Sequence, residues 1–571
     1  MDNKAITQRL KLTVQLMELH DENPFKIRSY QSAINTIDRI GLDLKKMDVE
    51  KLQEIKGIGK NIAEAIAAIA KTNSHPLLDD LMRRTPEGLL EVLQLKGLGP
   101  KKIKVLWKEL EVTSLHQLRE ACQSGKVALL KGFGERTQQA IMQAMEFAAA
   151  NTGKWLYAEV EASAAALLSE LEQKFAPGKA SIIGEFARNI EIIEQLEYLV
   201  ETPDGKADFG PVNRIEALSQ DLKISSPFKW RGRFGGLDLK VIIHFARPDQ
   251  YIREKLLRTA GKAHLLATVQ EDQSLAVFFK TGSFTSEAQA YEAAGLNYVP
   301  PELREGQFEI PLAREGKLPR LLEFGDLKGP LHNHSTYSDG KHNLREMAEY
   351  CISLGYEYLG MADHSQSAIY AGGLDIDKVM QQQEEIRKLN SELAPFRIFA
   401  GIESDILGDG SLDYPEHVLE TFDFVVASVH SSLGMDRQKA TARLLNAIKN
   451  PFTTILGHPT ARLLLRRDGY PLDHQTVIDA CADHQVVIEI NANPRRLDLD
   501  WRWVHYALEK GVTLSINPDA HEKGAFRHMK YGVLVGRKGG LTKEKTLNAL
   551  SREELEVYFA ERKKRRGERQ L

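Results

Sequence analysis

The chain has 571 residues, 42% hydrophobic and 27% charged, with a net charge of −3. These proportions suit several globular domains and exclude a collagen-like or wholly disordered chain. No run nears the ~20 uninterrupted apolar residues of a membrane span, and the start MDNKAITQRL lacks the basic-then-apolar order of a signal peptide. Cys122, Cys351 and Cys481 form no CxxC pair, so a disulfide framework or thiolate zinc site is not expected and a reducing cytoplasm is. Charge is uneven: residues 1–150 carry +4 and the remainder −7, and 12 of the 17 histidines follow residue 325. A mildly basic front and a His-rich back suggest two jobs on one chain.

Residues 1–150 read as short amphipathic helices. Three Gly-x-Gly elements punctuate them: Gly57 and Gly59 in EIKGIGKNIAEAI, Gly97 and Gly99 in QLKGLGPKKIKVL, Gly132 and Gly134 in LLKGFGERTQQAI. A lysine precedes each (Lys56, Lys96, Lys131), and Lys60 and Lys101 follow the first two. Glycines let the main chain approach a phosphate closely, and the next helix presents unpaired N–H groups to the anion. Nothing here reads a base edge, so the expected contact is with DNA backbone, without sequence preference and sensitive to salt. One GxG alone equally suits a tight helix–helix turn; the threefold repetition favours DNA.

Residues 151–298 mix helix (AEVEASAAALLSELEQKF) with strand-like runs (LDLKVIIHF, SLAVFFK), and residues 299–329, rich in Pro, Gly and charge, read as an extended linker. From residue 330 onward seven apolar runs (GPLHNH, YLGMADH, FRIFAGIESD, FDFVVASVH, TTILGHP, VVIEINANP, VTLSINPDAH) are separated mainly by helical segments. Such alternation predicts a parallel sheet, open or closed into a barrel. The runs end in polar residues: His332 and His334, His364, Glu403, His430, His458, then Asp519 and His521, with Asp339 in the first loop. Period-two spacing puts each i, i+2 pair on one side, and parallel strand ends open on one face. Buried strands do not need such charge, and leaving it there unpartnered is costly. The expected site holds two or three divalent ions (manganese, zinc or iron), since nine imidazole and carboxylate ligands without thiolate exceed one ion's needs. The terminal ERKKRRGERQL, with six basic residues, is either a solvated tail or a DNA contact.

LHNHSTYSDG, MADHS, GIESDIL, SVHSSL, GHPTARLLLRRDGY, EINANPRRLD and INPDAH together resemble the polymerase-and-histidinol-phosphatase (PHP) family. The resemblance implies a distorted seven-stranded βα barrel with three metals. It would give one metal His332, His334, Glu403 and Asp519, a second Glu403, His430 and His458, and a third Asp339, His364 and His521. Glu403 and His430 are then central to catalysis. Arg462 is assigned to phosphate, with a structural salt bridge as its alternative. With NPFKIRSYQSAINTI, the glycine repeats and VPPELREG ahead of it, the whole chain resembles the bacterial family X DNA polymerases. That resemblance implies a lyase-like helix-hairpin-helix domain (1–80), a second such domain resembling the fingers (81–150), an α+β nucleotidyltransferase-like palm and thumb (151–298), the linker (299–329) and the PHP domain with its basic tail (330–571). It also implies a manganese-dependent 3′–5′ exonuclease acting in DNA repair, including base excision repair.

The palm motif departs from the family's pattern. In IIGEFARNIEIIEQLEYLV, Gly184 and Arg188 are kept, but Glu185 and Ala187 replace a Ser and an Arg, and Gln195 and Glu197 stand where two metal-binding aspartates belong. Only Asp238 remains of three carboxylates. Two-metal nucleotidyl transfer needs anionic oxygens around both ions, so this site reads as vestigial. Ala65 stands where eukaryotic relatives carry the lyase lysine, and Lys60 nearby is assigned to phosphate. The expected function is a phosphoesterase acting, as a monomer, on gapped, nicked or 3′-end-bearing DNA. The alternatives are a gap-filling polymerase with a proofreading PHP domain, a small-molecule phosphatase, and a non-catalytic gap binder.

Overall fold

The computed structural model describes residues 3–39, 44–95, 97–269 and 272–570, and the chain divides into two compact units, Met1–Thr152 and Gly153–Leu571. The first unit is helical. Its helices begin where the sequence supplies caps: Ser114 accepts the Gln117 N–H ahead of Leu115–Gln123, and prolines open Pro76–Arg84 and Pro100–Leu110. Their apolar faces, including Leu10, Leu16, Ile66, Leu81, Leu89, Ile103 and Leu118, meet in one core. The two helical domains expected over 1–80 and 81–150 therefore share one interior.

The second unit opens with a two-stranded ribbon and a five-stranded sheet. The ribbon pairs β1 (Trp155–Leu156) with β3 (Ile192–Ile193). The sheet runs β2 (Ala180–Ile183), β4 (Gln195–Glu201), β7 (Leu239–Ala246), β6 (Lys229–Phe234), β5 (Leu218–Gln220), with only the β4–β7 pair parallel. The helix Tyr157–Phe175 covers it through Val160, Ala164, Leu167 and Leu171. SLAVFFK, which reads as a strand, is a helix (Leu275–Thr281): Ser274 caps it by accepting the Val277 N–H, and Leu275 and Phe279, one turn apart, are both buried. A seven-residue apolar run carries no period of its own, and the cap decides it.

The PHP region is a curled parallel sheet of six strands: β8 (Tyr358–Met361), β9 (Arg397–Asp405), β10 (Phe424–Ser428), β11 (Ile455–Leu456), β12 (Val487–Asn491) and β13 (Leu514–Asn517). The seventh expected strand, GPLHNH, is extended but is not a strand. It bridges the sheet's open edges instead. The Gly360 N–H donates to Pro330, the Ala362 N–H to Asn333, and the His334 N–H to Ala520 on the far side. Outward side chains such as Ile402, Val425, Leu456, Ile488 and Ile516 pack beneath the helices. Inward ones at the strands' N-terminal ends (Tyr358, Phe399, Phe424, Val426, Val487) pack with Leu555 and Phe559 of the helix Arg552–Gln570. Gly401 admits the Phe424 ring, which lies 2.3 Å from where its Cβ would be.

Residues 299–329 are not a free linker. They form a helix, Glu309–Arg314, flanked by short turns, and bury Leu303, Arg304, Glu309 and Ala313. Pro and charge there serve buried pairing: Glu309 accepts from His264 at 2.7 Å and from the Gly306 N–H at 2.6 Å. Palm, thumb and barrel are clamped together. Lys538, 1% exposed, donates to Glu305 at 2.7 Å and to the Arg188 carbonyl at 2.8 Å. Glu191 accepts from Trp501 at 3.0 Å and Arg502 at 2.8 Å. Stripping either partner from such a buried pair would leave a costly unpaired charge.

Limited proteolysis should therefore cut first near residues 151–154 and leave a stable 153–571 product, with residues 299–329 protected. A stable product beginning inside 299–329 would contradict this single-unit packing.

Candidate metal centre and DNA-binding hairpins

Period-two alternation builds the centre. On β9 the inward positions run Phe399, Gly401, Glu403, Asp405; beyond β8 they run to His364, beyond β10 to His430, and beyond β13 to Asp519. The β8, β9 and β10 columns change from apolar at the barrel floor to ligand-type at the mouth, whereas the β13 column is polar throughout (Ser515, Asn517, Asp519). His458 (φ +23°) and Asp519 (φ +51°) follow their strands in strained left-handed backbone, which turns both side chains inward.

Glu403 lies at the middle, fully buried. Its Oε1 is 3.2 Å from His332 Nε2, 3.2 Å from His430 Nε2 and 3.0 Å from His458 Nε2. Its Oε2 is 2.9 Å from His364 Nδ1 and 3.6 Å from His334 Nε2. Asp519 Oδ1 is 3.0 Å from His334 Nε2, and Asp339 Oδ1 is 3.3 Å from His521 Nε2 and 3.6 Å from His364 Nε2. All nine expected ligand positions thus converge. Eight of them fall into three overlapping groups able to hold an ion: His332, His334 and Asp519; His364, Glu403 and His430; and His334, Asp339, His364 and His521. His458 joins through its contact with Glu403.

A second layer, which sequence reading passed over, aims these rings. Glu489 Oε1 meets His332 Nδ1 at 2.7 Å, and its Oε2 accepts the His458 N–H at 2.8 Å. Asp405 Oδ1 meets His430 Nδ1 at 2.5 Å. Each carboxylate leaves the opposite ring nitrogen, Nε2, facing Glu403. Asp363 holds the first loop through the Ser335 N–H at 2.7 Å and Gln382 at 2.6 Å. The signal for Glu489 and Asp405 was a carboxylate at an inward strand position.

The donor set fits divalent metal. His332 Nε2, His364 Nδ1 and Glu403 Oε2 are buried polar atoms with no hydrogen-bond partner, all directed at one space. Burial opposes ionisation of Glu403, yet His430, His332 and His364 hold its carboxyl well below the usual carboxylate range. Asp519 is likewise held well below it, against burial, by His332, His334 and His521. Burial is outweighed for His430, raised to about 10 by Glu403 and Asp405, and for His521, raised to about 9 by Asp339 and Asp519. Burial and two neighbouring imidazoles, His521 and His364, push His334 down to about 3.

Arg462 realises its structural alternative. It donates to the Arg496 carbonyl at 2.8 Å and pairs with Asp500. The arginine at the mouth is Arg496, whose Nε is 3.4 Å from Asp519 Oδ2. Near it lies Arg467, lowered by burial and by Arg496. Cations held this close suit an anionic ligand.

The palm assembles no such centre. Gln195 donates to Glu197 at 3.1 Å, and Glu197 meets His244 at 3.1 Å. Gly184 (φ +72°) lies against the Glu197 carboxylate. Arg188 bonds Glu305 and the Thr259 carbonyl, each at 2.9 Å. Asp238, 77% exposed in the β6–β7 turn, pairs with Arg233. Among the described residues, no group of three metal-capable side chains forms here. Burial raises the Glu185 carboxyl, opposed by Arg188.

In the helical unit each glycine pair opens a helix: Lys60–Thr72, Pro100–Leu110 and Glu135–Asn151. Gly57, Gly97 and Gly132 share φ of +96°, +85° and +87°, the left-handed turn that glycine permits. Gly59 and Gly99 cap their helices in extended backbone, whereas Gly134 has φ +83°. Lys96 lies outside the described residues. Lys56 and Lys60 line a groove of about 930 Å³ with Lys26, Arg28, Tyr30 and the 75% exposed Phe25. Lys101 begins the second hairpin's helix and is exposed. The basic C-terminal stretch is partly spent on the barrel: Arg562 donates to the Gln485 carbonyl at 2.6 Å and Arg565 to its Oε1 at 2.8 Å. Side chains beyond Arg565 lie outside the described ones.

Protons compete with metal on His430 and His521, and on His332, which Glu489 and Glu403 raise well above the usual histidine range against burial. All three raised values mean that loading releases protons and that affinity climbs as pH rises toward about 9 to 10. Calorimetry in buffers of different ionisation enthalpy should read this release; an affinity flat with pH would contradict it. Glu403→Ala, which touches five imidazoles, should also lower bound metal per chain more than His430→Ala.

Comparison with known proteins matches this anatomy. The family model for a helix-hairpin-helix domain covers residues 1–75, a SAM-like helix-hairpin-helix tandem covers 89–146, and the PHP domain covers 330–493. The DNA polymerase/3′-5′ exonuclease PolX of Bacillus subtilis (strain 168) is 34% identical over 98% of this chain and 99% of its own. A "probable phosphatase" of Thermoanaerobacter sp. (strain X514) is 26% identical over 41% of this chain and 96% of its own; one of Caldicellulosiruptor bescii is 31% identical over 34% and 79%. The full-length match, together with helical hairpins, palm and PHP barrel in one order, shows that the chain belongs to the bacterial family X DNA polymerases with a C-terminal PHP domain.

Proposed function

We propose that this protein is a metal-dependent 3′–5′ exonuclease/phosphoesterase that works on DNA ends through the PHP barrel, and that it has lost nucleotidyl transfer. One contrast supports the reading: nine metal-capable side chains converge in the barrel, whereas the palm brings no three together. The residues would act in defined roles. His332, His334, Asp519, Glu403, His430 and His458 would hold two ions, with Glu403 shared, and Asp339, His364 and His521 a third. Such ions, when bound, supply Lewis acidity that activates water and offsets phosphate charge. Glu489 and Asp405 keep the His332 and His430 rings aimed by occupying Nδ1. Arg496, with Arg467 near it, would bind and orient the phosphodiester. The buried ring of imidazoles excludes bulk water, so these charges act in a poorly screened space.

The palm supports the negative half of the proposal. Gln195 is neutral, Glu197 is tied to His244, and Asp238 faces solvent and Arg233. The phosphatase relatives match 41% of this chain or less, so the choice of DNA rests on the three hairpins. Their contacts are to backbone, so gapped or nicked DNA of any sequence is the substrate. Work as a monomer in the cytoplasm, in base excision repair, follows from the same reading.

With manganese and a gapped, end-labelled duplex, the labelled primer should shorten, with or without dNTPs. Template-directed lengthening would overturn the loss of the polymerase, and an unchanged primer would overturn the nuclease. A fragment of residues 1–152 should bind the same duplex with an affinity that falls steeply as salt rises, and Lys56→Ala and Lys60→Ala should each flatten that slope by about one counterion. Binding indifferent to salt would rule out backbone recognition.

A further inference from the structure

The loop after β8 carries two large side chains that folding does not use. Its base is firmly held. Leu374 N–H donates to His364 at 2.9 Å, the Ser367 N–H to Asp413 at 2.6 Å, and Ser367 Oγ to Asp405 at 3.0 Å, the same carboxylate that orients His430. Ala368, Ala371 and Leu374 are buried. The tip is a single 3₁₀ turn, Ile369–Ala371, closed by Gly372 at φ +68°. Yet Ile369 is 85% and Tyr370 72% exposed. Single exposed apolar residues are ordinary; two adjacent ones on a pinned turn beside a reactive centre are not.

Their position is specific. The Tyr370 ring centroid is 6.2 Å from that of His364, tilted by 56°. The phenol feels the charges of Asp405, Glu403 and Asp339, and of Arg496. A flat aromatic face thus stands on the rim of the metal centre, with Arg496 also at the mouth and Arg467 near it. Among the described residues Arg467 makes no ion pair with a carboxylate. An anion at the metals with a planar apolar group attached one nucleotide's reach away is the ligand that uses both features. A small phosphomonoester would leave the apolar tip idle.

We propose that Ile369–Tyr370 is a stacking platform for the unpaired base at the 3′ end of the strand being hydrolysed. The proposal rests on the nuclease reading and adds to it the side chains that would hold the terminal base. A π-face accepts any base, so the platform keeps the enzyme indifferent to sequence. A paired end would have to unstack before it could engage, which makes mismatched or frayed ends the better substrates.

The test uses the full-length, manganese-loaded protein and two single-stranded oligonucleotides, one ending in an ordinary nucleotide and one ending in an abasic tetrahydrofuran nucleotide. Wild type and Tyr370→Phe should favour the base-bearing end by about tenfold to a hundredfold in kcat/KM, the range of one base–aromatic stack. Tyr370→Ala should raise KM for that end until the two oligonucleotides are equal, with bound metal unchanged. Equal slowing of both oligonucleotides by Tyr370→Ala, or no preference in wild type, would overturn the platform. A second readout separates the platform from the nuclease. A 3′-terminal 2-aminopurine strand with a phosphorothioate last linkage should be quenched by wild type and Tyr370→Phe but not by Tyr370→Ala. Tyr370-dependent quenching without any DNA cleavage would keep the platform and remove the nuclease reading. Cleavage with quenching that survives Tyr370→Ala would do the reverse.

Discussion

The constraint on which the back half of the molecule depends is the burial of one charge. Glu403 has no exposed surface, and its carboxylate is ionised because five imidazoles stand within 3.6 Å of its two oxygens. An isolated carboxylate could not survive there. Two of the imidazoles come from the bridging segment 330–334 and three from the ends of β8, β10 and β11, so Glu403, at the end of β9, draws all of these to one point. The second layer answers the same need. Glu489 and Asp405 take the far nitrogens of His332 and His430, so that neither of these two rings is free to turn its lone pair away. The strained backbone at His458 and Asp519 is held by the same convergence.

The palm pairs its polar side chains with one another. Gln195 is neutral, and the neighbouring side chains find each other. Glu197 settles on His244 and Gln195. Arg188 turns to Glu305, and its carbonyl receives Lys538 from the barrel. These contacts join the palm to the rest of its unit. Glu302 and Glu305 of the 299–329 segment and the palm's Glu191 all meet cations of the barrel helices, Arg537, Lys538 and Arg502.

The sequence by itself determined the parts whose signal is local. Helix caps, glycine pairs and the two-residue spacing along strands are properties of a few consecutive residues, and they placed the three hairpins, six strands and the nine side chains that converge at the barrel mouth. What only the tertiary structure decided is what depends on partners far along the chain. Arg462 and Arg496 look alike in sequence; Asp500 takes the first and leaves the second at the mouth. Glu489 reads as one more residue in a strand until the 157-residue gap to His332 is closed. GPLHNH has the composition of a strand, but it meets the two sheet edges without a continuous ladder on either. Residues 299–329 have the composition of a linker, yet His264 and Arg537 find buried carboxylates in them. Backbone periodicity is written into neighbouring residues, whereas the pairing of a buried charge is settled only when distant segments exclude water together.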